Sequence, residues 1–136
     1  AAESARFATP GVNIGLFCST PMVAVSRNLG RKQVMDMLLT GDMIDSEAAI
    51  AGGLINKAVP DDALDGAVDA YCRQVVSKSP LTLKIGKEAF YRQLEMPLED
   101  AYAYASEVMV TNMLARDAEE GIDAFLEKRD PEWMGE

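Results

Sequence analysis

The chain has 136 residues, 49% of them hydrophobic and 26% charged, which suits one globular domain with its own buried core. No apolar run approaches the ~18 residues that a spanning helix needs, and no cationic stretch leads into an apolar one as in a secretory signal. A net charge of −9, from 22 acids and 13 bases, lacks the basic footprint of a general nucleic-acid binder.

Residues 1–22 mix short apolar pieces with Pro10, Gly11, Gly15 and Pro21, a composition that predicts a short strand and then a turning loop, with no helix. Thr20-Pro21 then opens a helix to Leu29, closed by Gly30. A helix over 31–40 follows, ended by Gly41, with Val34, Met37 and Leu38 inward. Asp45 is placed to cap a helix over 46–51 that Gly52-Gly53 stops. Residues 54–59 read as a short extended piece ended by Pro60. Leu64, Ala67, Val68, Tyr71, Cys72, Val75 and Val76 then fall at the spacing of one buried helical face.

Pro80 starts a helix to Gln93, with Leu81, Ile85, Ala89 and Phe90 available to an interior. Pro97 starts the longest one, to Arg116, whose Leu98, Ala101, Tyr102, Ala105, Val108, Met109 and Asn112 make a seam close to a heptad. Asp117 and Glu120 have the spacing of a capping box for a last helix to Arg129, where Ala118, Ile122, Phe125 and Leu126 share a face. Met35, Met37, Met109 and Met113 read as core filler, and Tyr102 and Tyr104 as helix packing. The expected chain is mainly α: a strand-loop entrance followed by about six helices.

The chemistry available is narrow. There is no histidine, which removes His-assisted nucleophiles and His metal ligands from within the chain. Cys18 and Cys72 stand far apart without a metal or redox spacing, so a reducing compartment is expected and no metal site is proposed. The basic clusters Arg27-Arg31-Lys32, Lys84-Lys87 and Lys128-Arg129 read either as solvated faces or as contacts for a small anion.

Three stretches carry a family resemblance. Ala5-Arg-Phe-Ala-Thr-Pro-Gly-Val-Asn-Ile-Gly-Leu16 resembles the crotonase (enoyl-CoA hydratase/isomerase) segment A-x-F-x-x-P-E-x-x-x-G. Residues 39–59, with Thr40, Gly41, Ile44, Ala49, Gly53 and Leu54, are similar to that family's L-T-G-x-x-I-x-A-x-x-A-x-x-x-G-L-V-x-x-V. Glu120-Gly-Ile-Asp-Ala-Phe-Leu-Glu-Lys-Arg129 resembles its ending E-G-x-x-A-F-x-E-K-R.

The resemblance implies the C-terminal part of an α/β spiral fold, with residues 1–60 ending the spiral core and 61–136 forming a helical region that packs subunits into homotrimers or hexamers. It implies an acyl-CoA substrate and no further cofactor, while the charge and the lack of a long apolar run give no expectation of a nucleic-acid or membrane partner. The lack of a targeting signal gives an expectation of cytoplasmic localisation, or mitochondrial in a eukaryotic parent. The thioester's oxyanion donors and one catalytic acid would lie upstream of Ala1. The second acid's position is occupied by Gly11, so no catalytic residue is assigned within the chain, and the isolated chain is expected to be inactive.

Gly11, Leu16, Phe17, Cys18 and Ser19 would line the acyl pocket, while Phe125 and Lys128 would meet the nucleotide end of CoA. Each has a plainer reading. Gly11 could be a turn glycine with φ > 0, Phe125 a core residue and Lys128 a solvated one, while Cys18 and Ser19 read as pocket wall and not as nucleophiles, since no histidine can activate either. A non-catalytic oligomerisation segment is the rival to an acyl-CoA-handling enzyme, as is an isomerase, hydrolase or decarboxylase in place of a hydratase.

Overall fold

The computed structural model describes residues 1–136, which form two compact units, Ala1–Ala70 and Tyr71–Glu136. In the first, strand β1 (Arg6–Phe7) pairs antiparallel with β2 (Ile44–Asp45), Arg6 opposite Asp45 and Phe7 opposite Ile44. Between them run a 3-10 turn over Pro10–Ile14, helix α1 (Ser19–Val25) and helix α2 (Arg31–Thr40). Helix α3 (Ser46–Gly52) follows β2, and a 3-10 turn over Asp61–Ala63 leads into α4 (Leu64–Val76).

Helix α2 has the bounds its sequence predicts. Val34, Met37 and Leu38 fall on one face and are buried, forming with Leu29 a cluster against which Cys18, Met22, Val25, Ile44 and Leu54 pack. Burying a side chain of Leu38's size is worth ~1.5–3 kcal/mol. At the helix end Gly41 turns left-handed (φ 70°) and its N–H donates to the Met37 carbonyl at 3.1 Å. That carbonyl also accepts from the buried Thr9 hydroxyl at 2.8 Å, which ties the entrance segment to α2. Asp45 caps α3 as expected, its carboxylate accepting the Ala48 N–H at 2.9 Å, a contact worth ~1 kcal/mol.

Three expectations need correction here. Residues 10–14 form a 3-10 turn where a loop without helix was expected, because Pro10 presets the φ of its first residue. Gly30 does not close α1, which ends at Val25; it starts α2 from an extended conformation (φ −62°, ψ 140°). Residues 54–59 form no strand. They meet the N-terminal residues through a parallel bridge between Ala2 and Val59, with Glu3 N–H donating to the Val59 carbonyl at 2.9 Å and Val59 N–H to the Ala1 carbonyl at 3.1 Å.

The second unit holds helices α5 (Pro80–Gln93), α6 (Leu98–Met113) and α7 (Arg116–Glu127). Ser79 caps α5, its hydroxyl accepting the Thr82 N–H at 3.1 Å, and Pro80 occupies the first helical position. No residue of α4, α5 or α6 is buried. The expected buried face of α4 is therefore open, with Val68, Tyr71 and Val76 at 51%, 57% and 75% exposure. On α6 the seam is only partly covered, and Leu98, Tyr102 and Met109 are exposed. Of the four methionines read as core filler, only Met37 is buried. Seven α-helices stand where about six were expected, and none is long and apolar enough to cross a membrane.

Candidate functional site

The loop over residues 10–19 is where the sequence places a pocket wall. It folds back on itself: Leu16 N–H donates to the Gly11 carbonyl at 2.9 Å, and Gly11 N–H donates to Cys18 Sγ at 3.3 Å. The left-handed residue of this turn is Gly15 (φ 77°), and Gly11 is not among the positive-φ residues, which corrects the turn-glycine reading. Gly11 is instead pressed from outside. A Cβ there would lie 2.8 Å from Cys18 Sγ and 2.8 Å from the Leu16 carbonyl oxygen.

Leu16 and Phe17 project outward at 63% and 44% exposure, an apolar lip beside that contact. Ser19 opens α1, its N–H donating to the Phe17 carbonyl at 2.7 Å. The loop thus brings Gly11, Leu16 and Cys18 into direct contact, with Phe17 and Ser19 adjoining. It offers no carboxylate, since no acid occurs between Glu3 and Asp36. What it presents chemically is an apolar edge, one thiol, the Asn13 carboxamide, the Ser19 hydroxyl and backbone.

The second unit carries a groove of about 660 Å3 along α7, lined by Leu83, Ala118, Ile122, Phe125, Leu126 and Trp133 among others, with Lys78 at its edge. The shared face expected for α7 exists, but it lines an open groove: Phe125 is 82% exposed and Leu126 71%. The core reading of Phe125 is thereby corrected. Lys128 does not join Phe125 in lining the groove. It ends α7 in the left-handed conformation (φ 59°, ψ 40°), with its N–H directed to the last-turn carbonyls.

Asp117 is not the helix cap its spacing predicted. Ala115 takes that position, and Asp117 is buried inside the first turn of α7. Its carboxylate accepts the Ser79 hydroxyl at 2.5 Å, the Met134 N–H at 2.7 Å and the Gly135 N–H at 3.1 Å. The Ser79 hydrogen bond holds Asp117 below its ordinary carboxyl range against the opposing effect of burial, and the two backbone donors add to it. Beside it, Arg129 forks onto Glu120 at 2.6 and 2.9 Å, and Glu132 N–H adds a third donor at 2.8 Å. Those contacts pull Glu120 from 4.5 to about 2.

These bonds strap residues 130–136 to the helices, and the Trp133 indole N–H completes the strap by donating to the Ser77 carbonyl at 2.8 Å. Sequence reasoning missed Lys78 and Trp133 as groove residues and Asp117 as a clasp. The one available signal was the lone tryptophan placed after Pro131. A smaller groove between α5 and α6, about 280 Å3, includes Asn112, whose Oδ1 is buried without a donor. No group of three His, Cys, Asp or Glu side chains is gathered to hold a metal ion.

The sequence profile of the family described as Enoyl-CoA hydratase/isomerase matches residues 1–136. The human "Enoyl-CoA hydratase domain-containing protein 3, mitochondrial" is 45% identical over 136 residues, covering 100% of this chain and 45% of that protein. Carnitinyl-CoA dehydratase of Citrobacter koseri is 33% identical over 139 residues, covering 98% of this chain and 53% of that one. The crystal structure of an enoyl-CoA hydratase from Mycobacterium smegmatis superposes with a TM-score of 0.95 at 48% identity, covering 98% of this chain and 52% of the other. The chain spans about half the length of these relatives.

Proposed function

The chain belongs to the enoyl-CoA hydratase/isomerase family, and on that premise we propose that it is the C-terminal part of a protein that binds acyl-CoA thioesters and steadies enolate charge on them. Two backbone N–H donors from the upstream half would hold the thioester oxygen, a device worth ~2.7–4 kcal/mol per donor in acyl-transfer enzymes. The 10–19 loop supplies the acyl pocket's wall through Gly11, Leu16, Phe17, Cys18 and Ser19. Phe125 and Lys128 serve the nucleotide end of CoA, which is substrate here, with no further cofactor.

Gly11 carries the more specific part of this reading. Glycine cannot hold water or deliver a proton, and no acid of this loop replaces it. The reaction is therefore of the isomerase, hydrolase or decarboxylase type, with two-carboxylate hydration disfavoured. In a eukaryotic source the protein works in the mitochondrion, and otherwise in the cytoplasm. Titration calorimetry of the full-length protein with acetoacetyl-CoA tests the premise. Saturable heat at micromolar ligand is expected, and no heat at millimolar ligand ends the idea.

A second reading rests on the bare helical faces. Leu98, Tyr102, Met109, Val110, Met113 and Leu114 are all exposed. In this reading residues 61–136 assemble copies into a homotrimer or hexamer and do no chemistry. Analytical ultracentrifugation giving a single monomer at all concentrations would remove it.

A further inference from the structure

The contact at Gly11 has a consequence for what its loop can accept. Ordinary carbon contacts settle at about 3.5–4.0 Å, so a Cβ at 2.8 Å from both Cys18 Sγ and the Leu16 carbonyl oxygen does not fit. Moving either neighbour costs a contact. The Leu16 oxygen is backbone, and the Leu16 N–H is bonded to the Gly11 carbonyl at 2.9 Å. The Cys18 thiol accepts the Gly11 N–H at 3.3 Å and also packs against the Leu29, Val34, Met37 and Leu38 cluster. Space, and not backbone freedom, is what requires glycine here.

We propose that Cys18 is a specificity-determining residue of this loop: its thiol occupies the room a side chain at position 11 needs, and so keeps an acid out of the acyl pocket. The pocket assignment rests on the functional reading above; the contact itself does not. Gly11 and Cys18 then form a matched pair. The loop is built around sulfur where a carboxylate would otherwise project, and restoring the acid alone cannot restore acid chemistry.

The test is a double-mutant cycle in the full-length protein, Gly11→Ala, Cys18→Ala and both together, read by thermal melts and by peptide-resolved alkylation of Cys18 with iodoacetamide. Gly11→Ala is expected to lower Tm and, by displacing the thiol, to speed Cys18 alkylation about tenfold; Cys18→Ala then recovers about half of the Tm loss, the Leu16 carbonyl accounting for the rest. Unchanged Tm and alkylation in Gly11→Ala overturn the proposal, as does an equal Tm loss in both backgrounds.

If Gly11→Ala does not fold, the double variant decides: recovery of a folded protein with Cys18→Ala supports the contact, and a double variant that also fails to fold overturns it. A tenfold gain in crotonyl-CoA hydration by Gly11→Glu, by order of magnitude about 1.4 kcal/mol of barrier, also overturns it, since the loop would then have accepted the acid. Melts and alkylation involve no acyl-CoA, so a wild type that fails to bind acyl-CoA sinks the functional reading while leaving the contact to be judged separately.

Discussion

The two units of this chain solve the same problem in opposite ways. Residues 1–70 bury apolar side chains: Leu29, Val34, Met37 and Leu38 close on one another, α2 and α3 each end in a left-handed glycine, and α3 starts at the Asp45 cap. Residues 71–136 bury only Ser79, Asp117 and Ala124. There a carboxylate gathers α5, α7 and the C-terminal strap, while the apolar faces of α6 and α7 stay open. The first arrangement closes a small apolar cluster by the hydrophobic effect, although Ile14, Leu16, Leu39 and Met43 of the same unit stay exposed. The second is held in shape by directed hydrogen bonds and leaves its apolar faces exposed.

That contrast can be broken at several points. The largest effect is expected from Leu38→Ala, since Leu38 is 1% exposed at the centre of the small cluster. A loss of about 3 kcal/mol should appear in urea unfolding, and a loss below about 1 kcal/mol would mean that the first unit has no real core.

Asp117→Asn comes next, because it weakens the acceptor on which Ser79, Met134 and Gly135 converge. We expect a clear fall in Tm together with altered emission from Trp133, the single tryptophan. Acid should act in the same direction. Asp117 sits below its ordinary 3.8 and Glu120 is drawn from 4.5 to about 2. Both carboxyls are depressed by folding, so their stabilisation is complete above pH about 4.5 and drains away as pH falls towards 2. Trp133 emission followed through that window checks it, and a flat trace would show that the clasp does not hold the strap.

A smaller cost, about 1–2 kcal/mol, is expected for Gly41→Ala, whose φ of 70° disfavours a side chain. Chemical denaturation measures it within the first unit. The smallest change in monomer stability, within about 0.5 kcal/mol, should come from Leu114→Lys at an 82% exposed position. The same variant sharpens the contrast if sedimentation shows weakened self-association, since that is where an uncovered face should register.

Local signals were readable wherever both ends of an element carry their own chemistry. Helix α2 lies between an extended Gly30 and a left-handed Gly41, and α5 starts at Pro80 behind the Ser79 cap, so each keeps the bounds that its sequence indicates. Asp45 likewise caps α3 from three residues away. The Asp117 clasp was hidden because its partners lie 38, 17 and 18 residues distant, beyond any helical period. Periodicity in α4 and α6 was real, yet it reports which face wants burial and says nothing of whether the covering surface belongs to these residues.

The site divides the same way. Gly11, Leu16, Phe17, Cys18 and Ser19 were placed by motif on one loop, and the loop is there. The press of Cys18 against Gly11 was invisible, because a seven-residue return through Gly15 is set by backbone geometry that composition does not encode.

Lys128 closes α7 in a backbone conformation that glycine adopts freely and lysine adopts at a cost of about 1–2 kcal/mol. Mutational drift governed by robustness alone would move that codon to glycine. In the full-length protein, a saturation library ranked once for survival of heating and once for the acyl-CoA binding proposed above would separate the two pressures. If glycine leads the first ranking and lysine the second, the ammonium group is retained for its charge at the expense of the fold.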